Sequence, residues 1–109
     1  MGKFSLANTR INLQKIRKSK KVILTAGTFD IIHPGHVDYL EWCKRHGDVL
    51  VVCVAGDKRT RRRKKAGRPI VKQEWRALMV SSLKPVDLVF ISNRRPFVEP
   101  IIHAIQPDV

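Results

Sequence analysis

Cysteine is scarce in this chain of 109 residues: there are two, Cys43 and Cys53, and no C-x-x-C spacing. A zinc cage or a disulfide framework needs ligand pairs at short, regular spacing, so neither organises this fold. Both cysteines fall in apolar patterns, where they read as small buried hydrophobes in a reducing cytoplasm, with no neighbouring base to activate a thiol. Long hydrophobic runs are missing too. The longest, Val49–Ala55, is far short of the ~20 residues that cross a bilayer. The N-terminal segment has no apolar stretch of the kind that directs secretion. Several phosphate and hydrolase signatures are also absent: there is no G-x-x-x-x-G-K-[ST] loop, no G-x-G-x-x-G fingerprint, no serine elbow and no H-E-x-x-H pair.

Acidic side chains are few. Nine Asp and Glu face 22 Lys and Arg, for a net charge of +13, and eight of those cations lie between Lys58 and Arg68. Such a cluster attracts phosphate groups, whether of a nucleotide or of a nucleic acid. A hydrophobic content of 43% is that of a folded domain, and the length fits a single modest core. Residues 1–21 form a basic N-terminal segment, with Ser5 able to cap a thin amphipathic helix over about 6–18.

From residue 22 the pattern is regular. Val22–Ala26 reads as a strand and Pro34–Arg45 as a helix, with Val37, Leu40 and Trp42 or Cys43 on its buried face and Gly47 beyond its end. Val49–Ala55 has the continuous apolar character of a strand covered on both sides. A basic loop is expected over 57–68. Lys72–Leu83 is predicted helical, with Trp75, Leu78, Met79 and Leu83 turned inward and Pro85 as a stop. Leu88–Ile91 follows as a third strand and Phe97–Ile105 as a short helix, and a further strand should begin near Pro107. Alternating strands and helices of this kind predict a three-layer, Rossmann-like α/β fold with a parallel sheet and right-handed crossovers. Ligands of such sheets lie beyond the carboxyl ends of the strands.

The segment Thr25-Ala-Gly-Thr-Phe-Asp-Ile-Ile-His-Pro-Gly-His36 occupies that position. A strand runs into a glycine turn and then into the first turn of a helix, whose unpaired amides and partial positive charge suit an anion. Two imidazoles three residues apart add directional donors at the same place. The combination suits a polyphosphate better than a metal or an acyl group. The basic loop follows the second strand, so both features reach one sheet edge.

Gly27-Thr-Phe-Asp30 joined to His33-Pro-Gly-His36 resembles the first signature of the HxGH nucleotidyltransferases of the cytidylyltransferase-like superfamily. Gly67-Arg-Pro-Ile-Val71, Glu74-Trp-Arg76 and Leu83-Lys-Pro-Val-Asp87 resemble further elements of the same group. The similarity runs from about residue 10 to the end. It is nearest to the heptose-1-phosphate adenylyltransferases and archaeal-type FAD synthases, with glycerol-3-phosphate cytidylyltransferase further off.

The resemblance implies a nucleotidyltransferase domain over 22–109. A phosphate oxygen of a small acceptor would attack the α-phosphorus of an NTP, with ATP favoured over CTP, and release pyrophosphate. Mg²⁺ would travel with the triphosphate, and no protein metal site is expected. His33 and His36 would donate to the phosphates, Lys64 and Lys65 would close over them, and Gly27, Thr28, Phe29, Gly35 and Arg76 would bind the nucleotide. Asp57 and Asp30 are candidates for the acceptor side, Asp30 being read foremost as a brace of the turn. The family's Ser/Thr-rich second signature is not in the sequence, so the domain is expected to stop short of it. Base choice therefore stays open. A homodimer through Lys84–Asp87 is a further expectation from the family.

Three alternatives stay open beside adenylyl transfer. A cytidylyltransferase acting on glycerol 3-phosphate or another alcohol phosphate is one. A basic nucleic-acid-binding module is another, although no RNP, KH or helix-turn-helix pattern supports it. An inactive nucleotide-binding remnant is the third.

Overall fold

The computed structural model describes residues 3–63, 67, 69–94, 101–102 and 105–109. Its strands are β1 (Val22–Gly27), β2 (Val49–Ala55) and β3 (Leu88–Ser92), and its helices α1 (Leu6–Ile16), α2 (Pro34–Lys44), α3 (Asp57–Arg63) and α4 (Gln73–Ser81). The strands are parallel in the order β1-β2-β3, with Val22 opposite Val49 and Val51 opposite Leu88. The Val-rich, unalternating sequence of β2 is explained by its position. It is the central strand and is buried along its whole length.

Side chains of β2 alternate between two cores. Leu50, Val52 and Val54 meet Leu40 and Cys43 of α2 and Ala77 and Val80 of α4. Val49, Val51 and Cys53 meet Leu13 of α1 together with Ile101 and Ile105. Helices thus cover both faces, giving the expected three layers. Burial pushes the Cys53 thiol up to about 12, in keeping with an unreactive packing residue.

Both outer edges of the sheet are partly covered. On the β3 side, Ile91 N–H donates to Phe4 C=O at 2.8 Å, and the buried hydroxyl of Thr9 donates to Val89 C=O at 3.1 Å. On the β1 side, Val109 N–H donates to Val22 C=O and Leu24 N–H to Val109 C=O, at 3.2 and 3.0 Å. Val109 thus lies against the edge of β1 with bonds in the parallel sense, but 106–109 adopt no strand and the described sheet keeps three, so the strand expected near Pro107 is not formed among the described residues. The Asp108 carboxylate ties this segment to β1 by accepting from Val22 N–H at 2.7 Å.

Ser5 caps α1 as expected, its hydroxyl accepting from Asn8 N–H at 3.1 Å. Two further expectations need correction, and one open alternative is settled. Residues 57–63 form helix α3 rather than the first half of a loop; the segment Asp-Lys-Arg-Thr-Arg-Arg-Arg has no apolar period to reveal it. On α4, Trp75, Leu78 and Met79 are about half exposed or more, while Arg76, Ala77 and Val80 face inward. A buried arginine sets the phase of that helix, and its polar partners outweigh the apolar stripe. On α2, Cys43 is the buried residue and Trp42 lies outside, its ring 4.4 Å from that of His46. The opening of the predicted helix at Phe97 falls outside the described residues.

Candidate active site

The carboxyl ends of the three strands deliver Gly27, Gly56 and Asn93 to one edge of the sheet. After Gly27 the chain turns sharply: Phe29 takes a left-handed φ of 52° and its ring folds back, buried, over the end of β1. A Cβ on Gly27 would sit 2.8 Å from Phe29 Cε2. The glycine is there to admit that ring. Gly27→Ala is expected to lose about 1–3 kcal/mol of stability by overpacking, read as a lower urea midpoint; an unchanged midpoint would refute the account of the turn.

His33 is the N-cap of α2 and Pro34 its first residue. Gly35 N–H donates to His33 Nδ1 at 3.1 Å, and His33 N–H donates to His36 Nδ1 at 3.2 Å. The two imidazoles therefore form a reciprocal capping box, a role that Ser/Thr and Glu/Gln side chains fill elsewhere. A ring nitrogen that accepts a backbone N–H carries no proton, so both rings hold theirs on Nε2. The helix's amides are not left bare for an anion, as the sequence suggested. Gly35 N–H is taken up by the His33 ring and His36 N–H by the His33 carbonyl, and the rings present donors again further out. The rings lie close together, with centroids 4.0 Å apart and planes at 31°. Gly35 has a local reason as well, since a Cβ there would meet His33 Cε1 at 2.8 Å.

The pKa of His36 is lowered, first by burial and then by the neighbouring His33. Its ring stays neutral further into the acid range than a free imidazole at 6.5. As pH falls, the unfolded chain takes up this proton first. The stabilisation from this ring is complete above 6.5 and is lost as pH falls through the lower folded value. A proton-detected histidine titration should give His36 an inflection below 6.5; an inflection above it would contradict the cap geometry.

Asp30 is tied within the chain itself. Its carboxylate accepts from Ile70 N–H at 2.9 Å and from Val71 N–H at 2.8 Å, clamping the segment before α4 onto the glycine turn. The bracing role is the one the structure supports.

Arg76 is 1% exposed and lies beneath the site rather than over it. It donates to Thr28 C=O and Ala55 C=O through Nη1, to Val71 C=O through Nε, and to the Asp57 carboxylate through Nη2. One guanidinium thus joins the β1 turn, the end of β2, the approach to α4 and the start of α3. Its expected reach to a triphosphate is replaced by this internal role, and Asp57 is held by a 2.7 Å ion pair instead of standing open at the end of β2. Lys64 and Lys65 fall outside the described residues, as does Arg68.

Two residues that sequence reasoning passed over complete the edge. Gln73 Oε1 accepts from Asp57 N–H at 2.8 Å, and Asn93 Oδ1 accepts from Arg59 N–H at 3.0 Å, so α3 is capped by side chains from two other elements. Asn93 immediately follows the third strand, and the rule that placed the histidines at a carboxyl end could have found it too.

Comparison with known proteins agrees with this fold. A model of the cytidylyltransferase-like family matches residues 24–109. A curated relative, the bifunctional protein HldE of Desulfatibacillum aliphaticivorans, is 41% identical over 93 residues, covering 85% of this chain and 19% of that protein. This chain thus spans about a fifth of that relative's length. Among solved structures, the lipopolysaccharide core biosynthesis protein of Thermoplasma volcanium GSS1 superposes with a TM-score of 0.74 at 34% identity, covering 82% of this chain and 70% of that one. The fold is the Rossmann-like α/β fold shared with that solved structure. The chain belongs to the cytidylyltransferase-like family. Among the described residues, no helix is long and apolar enough to cross a membrane.

Proposed function

We propose that this site transfers a nucleotidyl group, AMP in preference to CMP, from an NTP to a small phosphorylated acceptor such as a sugar phosphate or FMN. An acceptor phosphate oxygen attacks the α-phosphorus, the bond from that phosphorus to the bridging oxygen breaks, and pyrophosphate leaves with the electron pair. No covalent enzyme intermediate is needed. The observation that carries this reading is the doubled imidazole cap, which leaves two Nε2–H donors side by side at the carboxyl edge of a parallel sheet. Neutral donors of this kind strengthen their hold as charge spreads over the phosphates in the transition state. Cations of the 58–65 segment, Lys64 and Lys65 included, would neutralise the departing pyrophosphate.

Mg²⁺ enters as part of the triphosphate substrate, keeping most of its waters. Asp30 and Asp57 are engaged with Ile70, Val71 and Arg76, and no residue of this chain is assigned to the ion.

Pyrophosphate release measured over a matrix of NTPs and phosphorylated acceptors tests the reading. ATP with a sugar phosphate or FMN is the expected productive pair. Turnover confined to CTP with glycerol 3-phosphate would replace it by the cytidylyl alternative, and no release with any pair would refute nucleotidyl transfer.

A further inference from the structure

Helix α3 poses a physical problem. Its seven residues carry five cations and no apolar side chain, and among its described side chains only Thr60 is fully buried. A helix this short is marginal alone, and like charges along it oppose its formation. Core burial cannot hold it, so polar ties must.

Those ties are visible. Thr60 N–H and its hydroxyl both donate to Gly56 C=O, at 3.0 and 2.9 Å, closing the first turn. Gln73 and Arg76 tie Asp57 to α4. On the opposite side two bonds run to Asn93. Its side-chain oxygen caps Arg59 N–H, and its carbonyl accepts from Arg62 Nη2 at 2.9 Å. Gly56 is cut to fit this contact, for a Cβ there would lie 2.2 Å from Asn93 Oδ1 and 2.4 Å from its Nδ2. Gln73 and Asn93 occupy the amides of Asp57 and Arg59, so what α3 has left to offer an anion is chiefly the charge of its side chains.

We infer that Asn93 is a positioning residue that holds the cationic helix α3 against the triphosphate end of the site. The inference rests on the nucleotidyltransferase reading and extends it to a residue outside the histidine signature. Asn93 touches no substrate. It acts through Arg59 and Arg62, fixing where the positive charge of α3 sits. An aspartate can take the same N–H bond with its carboxylate, whereas an alanine cannot.

The test is calorimetric binding of ATP to the whole chain, at low and at high salt. Asn93→Ala should weaken binding about ten-fold at low salt, as one capping bond is lost and the charges of α3 disperse. At high salt the deficit should shrink toward nothing, because screening removes the advantage of well-placed cations. A merely structural defect would not follow salt in this way. Asn93→Asp should restore affinity to within about two-fold. Gly56→Ala should reproduce the Asn93→Ala deficit and add little to it in the double variant, as for two groups in one contact. Wild-type affinity in Asn93→Ala, a deficit independent of salt, or failure of Asn93→Asp to rescue would each overturn the inference and leave the nucleotidyl-transfer reading intact. A wild-type chain that binds no ATP would overturn both.

Discussion

Replacing Arg76 with alanine is expected to destabilise the chain by about 3–5 kcal/mol, the range for breaking a buried ion pair by removing one partner. The guanidinium has no solvent to fall back on, being 1% exposed, and its loss leaves three carbonyls and the Asp57 carboxylate without their donor. The carbonyls belong to separate elements, so the damage should spread over the whole carboxyl edge. Lysine should be a poor substitute: it keeps the charge, but a single ammonium with three donors cannot span four acceptors spread around a planar fork. Urea denaturation measures the effect. A midpoint for Arg76→Lys equal to that of the native chain would show that charge, and not the fork, is what this position supplies.

Removing either histidine should lower turnover by about 10²-fold or more, the loss typical when a transition-state donor is deleted. Two effects combine in His33→Ala. The Nε2–H donor disappears, and Gly35 N–H loses its acceptor. In His36→Ala it is His33 N–H that is orphaned. Each lost cap costs about 1 kcal/mol of helix stability, a small matter beside the kinetic loss. Asparagine separates the two contributions. At position 33 its side-chain oxygen can restore the N-cap without an imidazole, so His33→Asn should recover stability and not turnover. Steady-state pyrophosphate release and thermal melts on the same preparations give both numbers. Recovery of turnover by His33→Asn would mean that the imidazole is only a cap.

Much of this was legible in the sequence because the responsible signals are local. A run such as Val49–Ala55 is a covered strand wherever it occurs, and a Pro-Gly pair between two histidines after a strand opens a helix. The position of the histidines at the carboxyl edge followed from the alternation of elements alone. What was not legible depended on partners distant in the chain. Arg76 sits on a helix whose best apolar stripe is Trp75, Leu78 and Met79, and nothing nearby says that Thr28, 48 residues away, will offer it a carbonyl. Once those acceptors exist, the helix turns its arginine inward and leaves the tryptophan outside. Helix α3 escaped for the same reason: its caps are Gln73 and Asn93, both remote in sequence. Asp30 shows the intermediate case, where a bracing role could be read but the partners, Ile70 and Val71, could not.

Long-range ¹H–¹⁵N spectra of the imidazole rings, recorded with and without MgATP, bear most directly on the claim that paired neutral histidines receive the triphosphate. Both His33 and His36 should appear as Nε2–H tautomers near neutral pH, and both Nε2 resonances should move when ATP is added while Nδ1 stays bound in the cap. A proton found on Nδ1 of either ring, or Nε2 signals indifferent to saturating ATP, would contradict it.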